Sequence, residues 1–319
     1  MAELQKNSVT GSPLYRQTLR RRVIKDFRRN RLIYLMLLPV VLFYAVFHYG
    51  PMYGIQIAFK DFSPGLGIWG SPWTGFDHFR DFFEGYFFVR IIRNTLLLGL
   101  YDLIFVFPAS IGLALLLNEV RHRIFKRTVQ SITYLPHFIS VVVIVGMMVD
   151  FLSMNGLINQ LIVMFGGEPI SFLREPSWFR FLYTSSAVWQ QIGWGSIIYL
   201  AAISNIDPTL YEASKVDGAG RLRQVFHITI PGIMPTIIIL FILRIGSLMV
   251  LQDEKILLMY NPMTYETADV IGTYVYRKGI LESSYSFSAA VGLFNSLINF
   301  ALLFGANYLS KRFSDTKLW

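Results

Sequence analysis

The sequence predicts an all-α protein that crosses a membrane several times. Hydrophobic residues make up 54% of its 319 residues and the mean hydropathy is +0.47, which is too apolar for an ordinary soluble domain. Six segments each contain about 20 mainly apolar residues, the length that a helix needs to cross the hydrocarbon of a bilayer. The alternation of polar and apolar residues that a membrane β-barrel requires is absent, so helices must satisfy the backbone in lipid.

The six predicted spans are separated by polar loops. In chain order they are 32–57, 94–118, 131–153, 179–204, 232–259 and 287–309. A tail of residues 1–31 precedes them, and a tail of residues 310–319 follows them. The first apolar stretch is longer than a signal-peptide core and no small-residue cleavage site follows it, so we expect a retained span. The fifth is the least regular, because Arg244 interrupts it and Asp253, Glu254 and Lys255 lie near its end.

The positions of the basic residues predict the orientation of these spans. Of the 29 Lys and Arg residues, nine lie within 1–31, four within 121–127, three within 205–231 and three from 311 onward. All of these segments fall on one side of a six-span arrangement. The positive-inside rule then makes both termini cytoplasmic. The net charge of +9 therefore indicates membrane orientation rather than binding to nucleic acid.

The sequence of residues 58–93 predicts a helix at the outer face of the membrane, opposite the cytoplasmic side that carries the basic segments. It is rich in Gly, Pro and aromatic residues, and from Phe76 onward its phenylalanines alternate with charged residues. Such a pattern is typical of an amphipathic helix lying in the membrane interface. The sequence does not distinguish an aromatic belt that positions the span from a surface on which another protein docks.

The 207–231 loop predicts two short helices that meet at a glycine. Asp207 is suited to cap the first helix, and Gly218 can supply the left-handed residue that ends it. The second helix, about 221–229, is expected to stop at Pro231. We call this loop of residues 207–231 the elbow. It lies between the fourth and fifth spans, and its two rigid helices could transmit a movement of another protein to those spans.

Signatures of catalysis and cofactor binding are missing from the sequence. No lysine follows a glycine, so the core of a phosphate-binding P-loop is absent, and the five histidines are scattered. We therefore expect no catalytic site, no metal and no cofactor bound by this chain. A role driven by ATP would need a separate ATPase subunit.

The elbow resembles the cytoplasmic loop signature of permease subunits of bacterial ABC importers. The matching residues are Glu212-Ala213-Ser214, Gly218 and Ile230-Pro231, with Asp217 and Ala219 fitting the longer pattern. Ser214 stands where the family has a second alanine, which is an exchange of one small residue for another. The resemblance implies that Glu212, Ala213, Ser214, Asp217, Gly218, Ala219 and Pro231 couple the chain to an ATPase.

The resemblance to type I ABC importer transmembrane domains covers residues 90–309, with the first span as an addition. Segments 268–279 and 285–294 are similar to the oligo- and polysaccharide branch of these importers, including alginate permeases. The resemblance implies that the chain is part of a complex in the bacterial inner membrane. Its partners would be a second homologous permease, two ATPase subunits that carry ATP and Mg²⁺, and a substrate-binding protein outside.

A candidate substrate path runs through the fourth, fifth and sixth spans. Indoles can stack on sugar rings, and carboxamides can bond to hydroxyls. The candidates are Trp189, Gln190, Gln191, Trp194, Arg244, Asn295 and Asn299. The alternative is helix packing around Gly193 and Gly195. Because a charge inside a membrane is costly, Asp102 and Arg244 are expected to face the protein interior, where Arg244 pairs with Asp102 or meets an anionic substrate.

Together these features predict a permease that imports an oligo- or polysaccharide, with an acidic, alginate-like sugar as the best single guess. An importer of a different solute is the first alternative. An ion-coupled secondary transporter is the second, but it would leave the elbow unexplained and would need more intramembrane acids than Asp102 supplies.

Overall fold

The computed structural model of the protein describes residues 26–313. Two compact units are present, one ending at Ile55 and the other beginning at Gln56. The helices, in chain order, are α1 (Arg31–Phe59), α2 (Asp77–Glu84), α3 (Phe88–Glu119), α4 (Arg123–Tyr134), α5 (Val141–Leu152), α6 (Leu157–Met164), α7 (Pro176–Ser204), α8 (Pro208–Val216), α9 (Arg221–Gly246), α10 (Asp253–Met259), α11 (Ile271–Tyr276) and α12 (Tyr285–Phe313). Shorter turns occupy Gly67–Gly70, Leu135–Phe138, Tyr265–Ala268 and Arg277–Leu281. Most of the basic N-terminal tail and the end of the C-terminal tail lie outside the described residues.

The all-α polytopic fold is confirmed. Within residues 26–313 no β-strand occurs, and Lys60 and Trp73 form an isolated bridge. Five segments of this range are helical, long and apolar enough to cross a membrane: α1, α3, α5 with α6, α9 and α12. The predicted fourth span lies in α7, which is 29 residues long but is not one of these five segments. The count of six spans therefore stays a prediction.

Two predicted spans have different bounds in the structure. Residues 131–153 do not form one helix, because Pro136 lies in a 3₁₀ turn that separates α4 from α5. The fifth predicted span, 232–259, was too long, since α9 ends at Gly246 and α10 begins at Asp253. The acidic residues Asp253 and Glu254 lie in the first turn of α10, where the positive end of the helix dipole favours them.

The predicted stop at Pro231 is wrong, because α9 continues through Pro231 and Pro235. Residues 225–229 just before it form a π turn. A proline ring clashes with the carbonyl one turn earlier in a regular helix, and the wider π turn relieves that clash. The same solution occurs in α3, where a π turn over Asp102–Val106 precedes Pro108.

Helix α7 packs closely against its neighbours through two glycines. A Cβ on Gly193 would overlap the carbonyl of Thr133 in α4, and one on Gly195 would lie 2.5 Å from the hydroxyl oxygen of Ser110 in α3. Small residues at such crossings let helix backbones approach within lipid, where packing rather than water exclusion holds helices together. Through these two glycines, α7 approaches both α3 and α4 closely.

Helix α2 packs against other helices of the protein. Phe82 is buried, and its ring lies 5.0 Å from that of Phe88 in α3 and 5.5 Å from that of Phe294 in α12. Phe76 at the start of α2 remains largely exposed. The aromatic face predicted for this helix is therefore partly buried against the protein, at Phe82, and partly exposed, at Phe76.

The close crossing at Gly193 gives a first testable prediction. Gly193→Ala should lower the free energy of unfolding by about 1–3 kcal/mol, because the methyl group has no room beside a backbone carbonyl. Thermal unfolding of the purified protein in detergent measures this. Gly112→Ala, also in a helix, is the matched control, since its Cβ would meet nothing within 4 Å. Equal melting temperatures for the two variants would contradict the packing described for α7.

Candidate functional site

Asp102 and Arg244 form an ion pair between two apolar helices. Asp102 is the first residue of the π turn in α3, and Arg244 lies in the last turn of α9. The Nε and one terminal nitrogen of Arg244 donate to the two carboxylate oxygens of Asp102, in a bidentate arrangement. The pairing offsets the cost of placing either charge within a membrane span. Of the two outcomes expected for Arg244, the structure holds the internal pair.

A cavity of about 290 Å³, the central cavity, lies beside this pair between α3, α7 and α9. Its polar lining residues are Ser110, Gln191, Trp194, Tyr199, Arg244 and Ser247. A smaller cavity of about 80 Å³ shares Gln191, Arg244 and Ser247 with it and adds Asp102, Tyr183 and Gln252. The guanidinium of Arg244 therefore lies where the two cavities meet, with about a third of its side chain exposed.

Helical spacing brings Gln191 and Trp194 to the central cavity. They are three residues apart on α7, so both side chains lie on the same face. The indole of Trp194 stacks in parallel on the imidazole of His137, with ring centroids 4.5 Å apart. His137 belongs to the 3₁₀ turn between α4 and α5, and that contact fixes the orientation of the indole.

The other residues of the predicted path lie elsewhere. Gln190 is buried and Trp189 is about half exposed, and neither lines the central cavity. Asn299 accepts a hydrogen bond from the backbone N–H of Met249 at 3.1 Å, and Asn295 donates to the Met249 carbonyl at 3.5 Å. The two asparagines thus hold the segment between α9 and α10 against α12. This is the helix-packing role that was the alternative to a sugar path.

Several residues of the two cavities were not singled out from the sequence. They are Ser110, Tyr183, Ser247 and Gln252. Each is an isolated polar residue in an apolar stretch or at its edge, with no motif around it. The backbone N–H of Gln252 donates to the Tyr183 hydroxyl at 3.3 Å, a contact across 69 residues of chain that no local pattern reveals.

The first helix of the elbow between α7 and α9 has the cap and the glycine turn expected of it, although the second helix is not short. The carboxylate of Asp207 caps α8 by accepting from the backbone N–H of Thr209 at 2.9 Å, and this hydrogen bond lowers the pKa of Asp207. Gly218 has a φ of 75°, in the left-handed region, and the next N–H, that of Ala219, returns to the Ser214 carbonyl at 2.9 Å. This is a glycine-ended helix followed directly by a second one.

Ser214 joins the two helices of the elbow. Its hydroxyl accepts a hydrogen bond from the side-chain amide of Gln224 at 2.9 Å and donates to the Tyr211 carbonyl. An alanine here, as in the family pattern, could not form this link. The departure from the pattern therefore replaces a small apolar residue with one that fixes the angle between α8 and α9.

The surface of the elbow combines charge with exposed apolar side chains. Glu212, Ala213 and Asp217 are exposed, and no cation lies within 4.0 Å of Glu212 among the described residues. The large apolar residues that this segment leaves exposed are Leu210, Val216, Leu222 and Phe226. Such a cluster on a polar loop is typical of a contact surface for another protein. Pro231 is exposed and lies in α9, about three turns from the start of that helix.

Residues 106–315 match the family model described as "binding-protein-dependent transport system inner membrane component". Two relatives from Bacillus subtilis (strain 168) align over nearly the full chain. Protein LplB is 48% identical over 293 residues, which is 92% of each protein. The polygalacturonan/rhamnogalacturonan transport system permease protein YteP is 44% identical over 319 residues, covering 100% of this chain and 99% of YteP.

Two solved structures share the fold over most of their length. One is a bacterial ABC transporter involved in the import of the acidic polysaccharide alginate, with a TM-score of 0.85 and 44% identity, covering 91% of this chain and 99% of that chain. The other is a bacterial alginate ABC transporter in complex with an alginate pentasaccharide-bound periplasmic protein. It has a TM-score of 0.86 and 43% identity, covering 93% of this chain and 100% of that chain. The chain therefore belongs to the family of binding-protein-dependent transport system inner membrane components and is a multi-pass permease of the inner membrane.

Proposed function

We propose that this chain is the pore-forming permease subunit of an ATP-driven ABC importer for acidic, alginate-like oligosaccharides. The observation that carries the proposal is the position of Arg244 beside Gln191 and Trp194 in the central cavity. The cavity volume of about 290 Å³ lies at the lower end of the range of about 300–1,000 Å³ typical of small-molecule sites. It would receive one unit of a chain rather than a whole oligosaccharide.

The chemistry of the cavity suits a uronic-acid unit. The indole of Trp194 offers an apolar ring face for the sugar, and the amide of Gln191 can both donate to and accept from hydroxyls. Arg244 has five N–H donors, and Asp102 accepts two of them. A substrate carboxylate would use the remaining donors or replace Asp102, because it presents the same two oxygens.

Similar proteins support the acidic class. One relative carries polygalacturonan and rhamnogalacturonan in its name, and both solved structures concern alginate. All three polymers contain uronic-acid carboxylates. An arginine at the meeting point of two cavities is the feature of this chain that would select such a group.

Coupling would run through the elbow at the cytoplasmic face, where the positive-inside rule places both termini. Helix α8 would lie in a groove of an ATPase subunit, with Leu210 and Val216 buried against it and Glu212 paired with a cation. ATP and Mg²⁺ would bind to two such ATPases, and a second homologous permease would complete the pore. A substrate-binding protein would deliver the sugar at the outer face.

Glu212→Arg should uncouple ATP hydrolysis from transport. It replaces an exposed anion at the proposed contact, and the loss of a charge-assisted hydrogen bond should lower substrate-stimulated ATPase activity of the reconstituted complex about tenfold. The melting temperature should not change, because Glu212 makes no ion pair among the described residues. Arg127→Gln, an exposed charge in α4, is the control. Full stimulation in Glu212→Arg would contradict the coupling role.

Arg244→Gln should reduce uptake of acidic oligosaccharides selectively. We expect uptake of an oligomannuronate by proteoliposomes to fall about tenfold, and that of a neutral oligosaccharide of equal length to change less than about twofold. The double variant Asp102→Arg with Arg244→Asp keeps an ion pair but reverses the two charges. It should remain folded and still fail to import the oligomannuronate. If the reversed pair restored that uptake, Arg244 would serve packing alone.

A further inference from the structure

A third cavity, of about 570 Å³, lies between the first half of α7 and the middle of α3. We call it the Arg180 cavity. Its walls include Tyr101, Phe105, Arg180, Thr184 and Val188. It shares no lining residue with the central cavity, and no role in the coupling or substrate contacts described above involves it.

Two polar atoms of residues that line this cavity are buried, and neither has a hydrogen-bond partner among the described residues. They are the Nε of Arg180 and the hydroxyl oxygen of Thr184. Buried polar atoms are normally paired, because leaving one unpaired costs about 1–3 kcal/mol. A site with an unpaired cationic donor and an unpaired hydroxyl is therefore suited to a ligand that supplies both a carboxylate and hydroxyls.

The charge of Arg180 is not balanced within the part of the chain that the structure describes. No carboxylate lies within 4.0 Å of it there, whereas Arg244 is paired with Asp102 and Arg277 with Asp269. Within residues 26–313, its one hydrogen bond, at 3.0 Å, goes to the neutral side-chain oxygen of Asn94.

Asn94 makes Arg180 a fixed group rather than a mobile one. It is fully buried, and its amide nitrogen donates to the carbonyls of Glu266 at 2.9 Å and Asp269 at 3.0 Å. Because Asn94 is fixed by these two backbone carbonyls, it holds the guanidinium of Arg180 in place without removing its charge. An arginine arranged in this way is preorganised to bind an anion.

The same face of α7 leads from this cavity to the central cavity. Thr184 follows Arg180 by four residues and Gln191 follows it by eleven, so all three lie within a narrow angular range of the helix. Eleven residues correspond to about 16 Å along the axis. A flexible chain of sugar units could therefore touch Arg180 and Gln191 at once, whereas a short sugar could not.

We propose that Arg180 and Thr184 form a second subsite for the acidic oligosaccharide, one that holds a uronate carboxylate while another unit occupies the central cavity. This inference rests on the proposed function. Arg180 binds the carboxylate, the Thr184 hydroxyl bonds to the sugar, and Tyr101 offers a ring face. The subsite makes transport depend on chain length as well as on charge.

The test uses the complete complex in proteoliposomes, with both permeases, the ATPases and the binding protein. Uptake is compared for oligomannuronates of two and five units and for a neutral oligomannoside of five units. Arg180→Gln should lower uptake of the acidic pentasaccharide about tenfold and change uptake of the other two sugars less than about twofold. Arg180→Lys should restore most of the loss, because it keeps the charge. Arg174→Gln, an exposed cation just before α7, is the matched control.

Each other outcome overturns the subsite, and the outcomes separate it from the proposed function. If Arg180→Gln has no length-dependent effect while Arg244→Gln still discriminates against acidic sugars, the subsite alone is wrong. If neither variant discriminates, the acidic-sugar function is wrong as well. If Arg180→Gln lowers uptake of all three sugars equally and releases the second permease during purification, Arg180 pairs with a carboxylate of that subunit instead.

Discussion

The ion pair between Asp102 and Arg244 is the interaction on which the arrangement of the pore helices depends. An unpaired charge at the centre of a span costs about 2.5–3.5 kcal/mol on insertion scales, so each of these residues needs the other. Asp102 lies in a π turn and Arg244 in the last turn of α9, so the pair joins a widened turn of one helix to the end of another. Helix α7 closes the third side through its glycines, and the central cavity is what remains between the three.

The arginines of this protein differ in how their charge is balanced. Arg277 shares the fully buried Asp269 with Arg90, which fixes the segment before α12. Arg244 has a partner that is itself partly exposed to a cavity, so a ligand can compete for it. Arg180 has only an amide partner among the described residues. Arg277 therefore stabilises the fold, whereas Arg244 and Arg180 are available to bind a substrate that has one carboxylate on each unit.

Local features of the sequence predicted the elbow well and the cavities less well. Asp207 and Gly218 act on residues next to them, so their roles as helix cap and left-handed residue could be predicted from position alone. The stop at Pro231 failed because a π turn accommodates proline, and that turn has no clear sequence signal. Asn295 and Asn299 have the chemistry of a sugar site, but only the fold shows that they bind the backbone of Met249. The pairing of Asp102 with Arg244 joins residues 142 positions apart.

A structure of the assembled complex, determined by cryo-electron microscopy with an oligomannuronate trapped inside, tests the central claim most directly. We expect a sugar ring against Trp194, between Gln191 and α9, with a carboxylate at the guanidinium of Arg244. An oligosaccharide that crosses the membrane without contacting Arg244, while the Asp102 pair stays unchanged, would contradict this account.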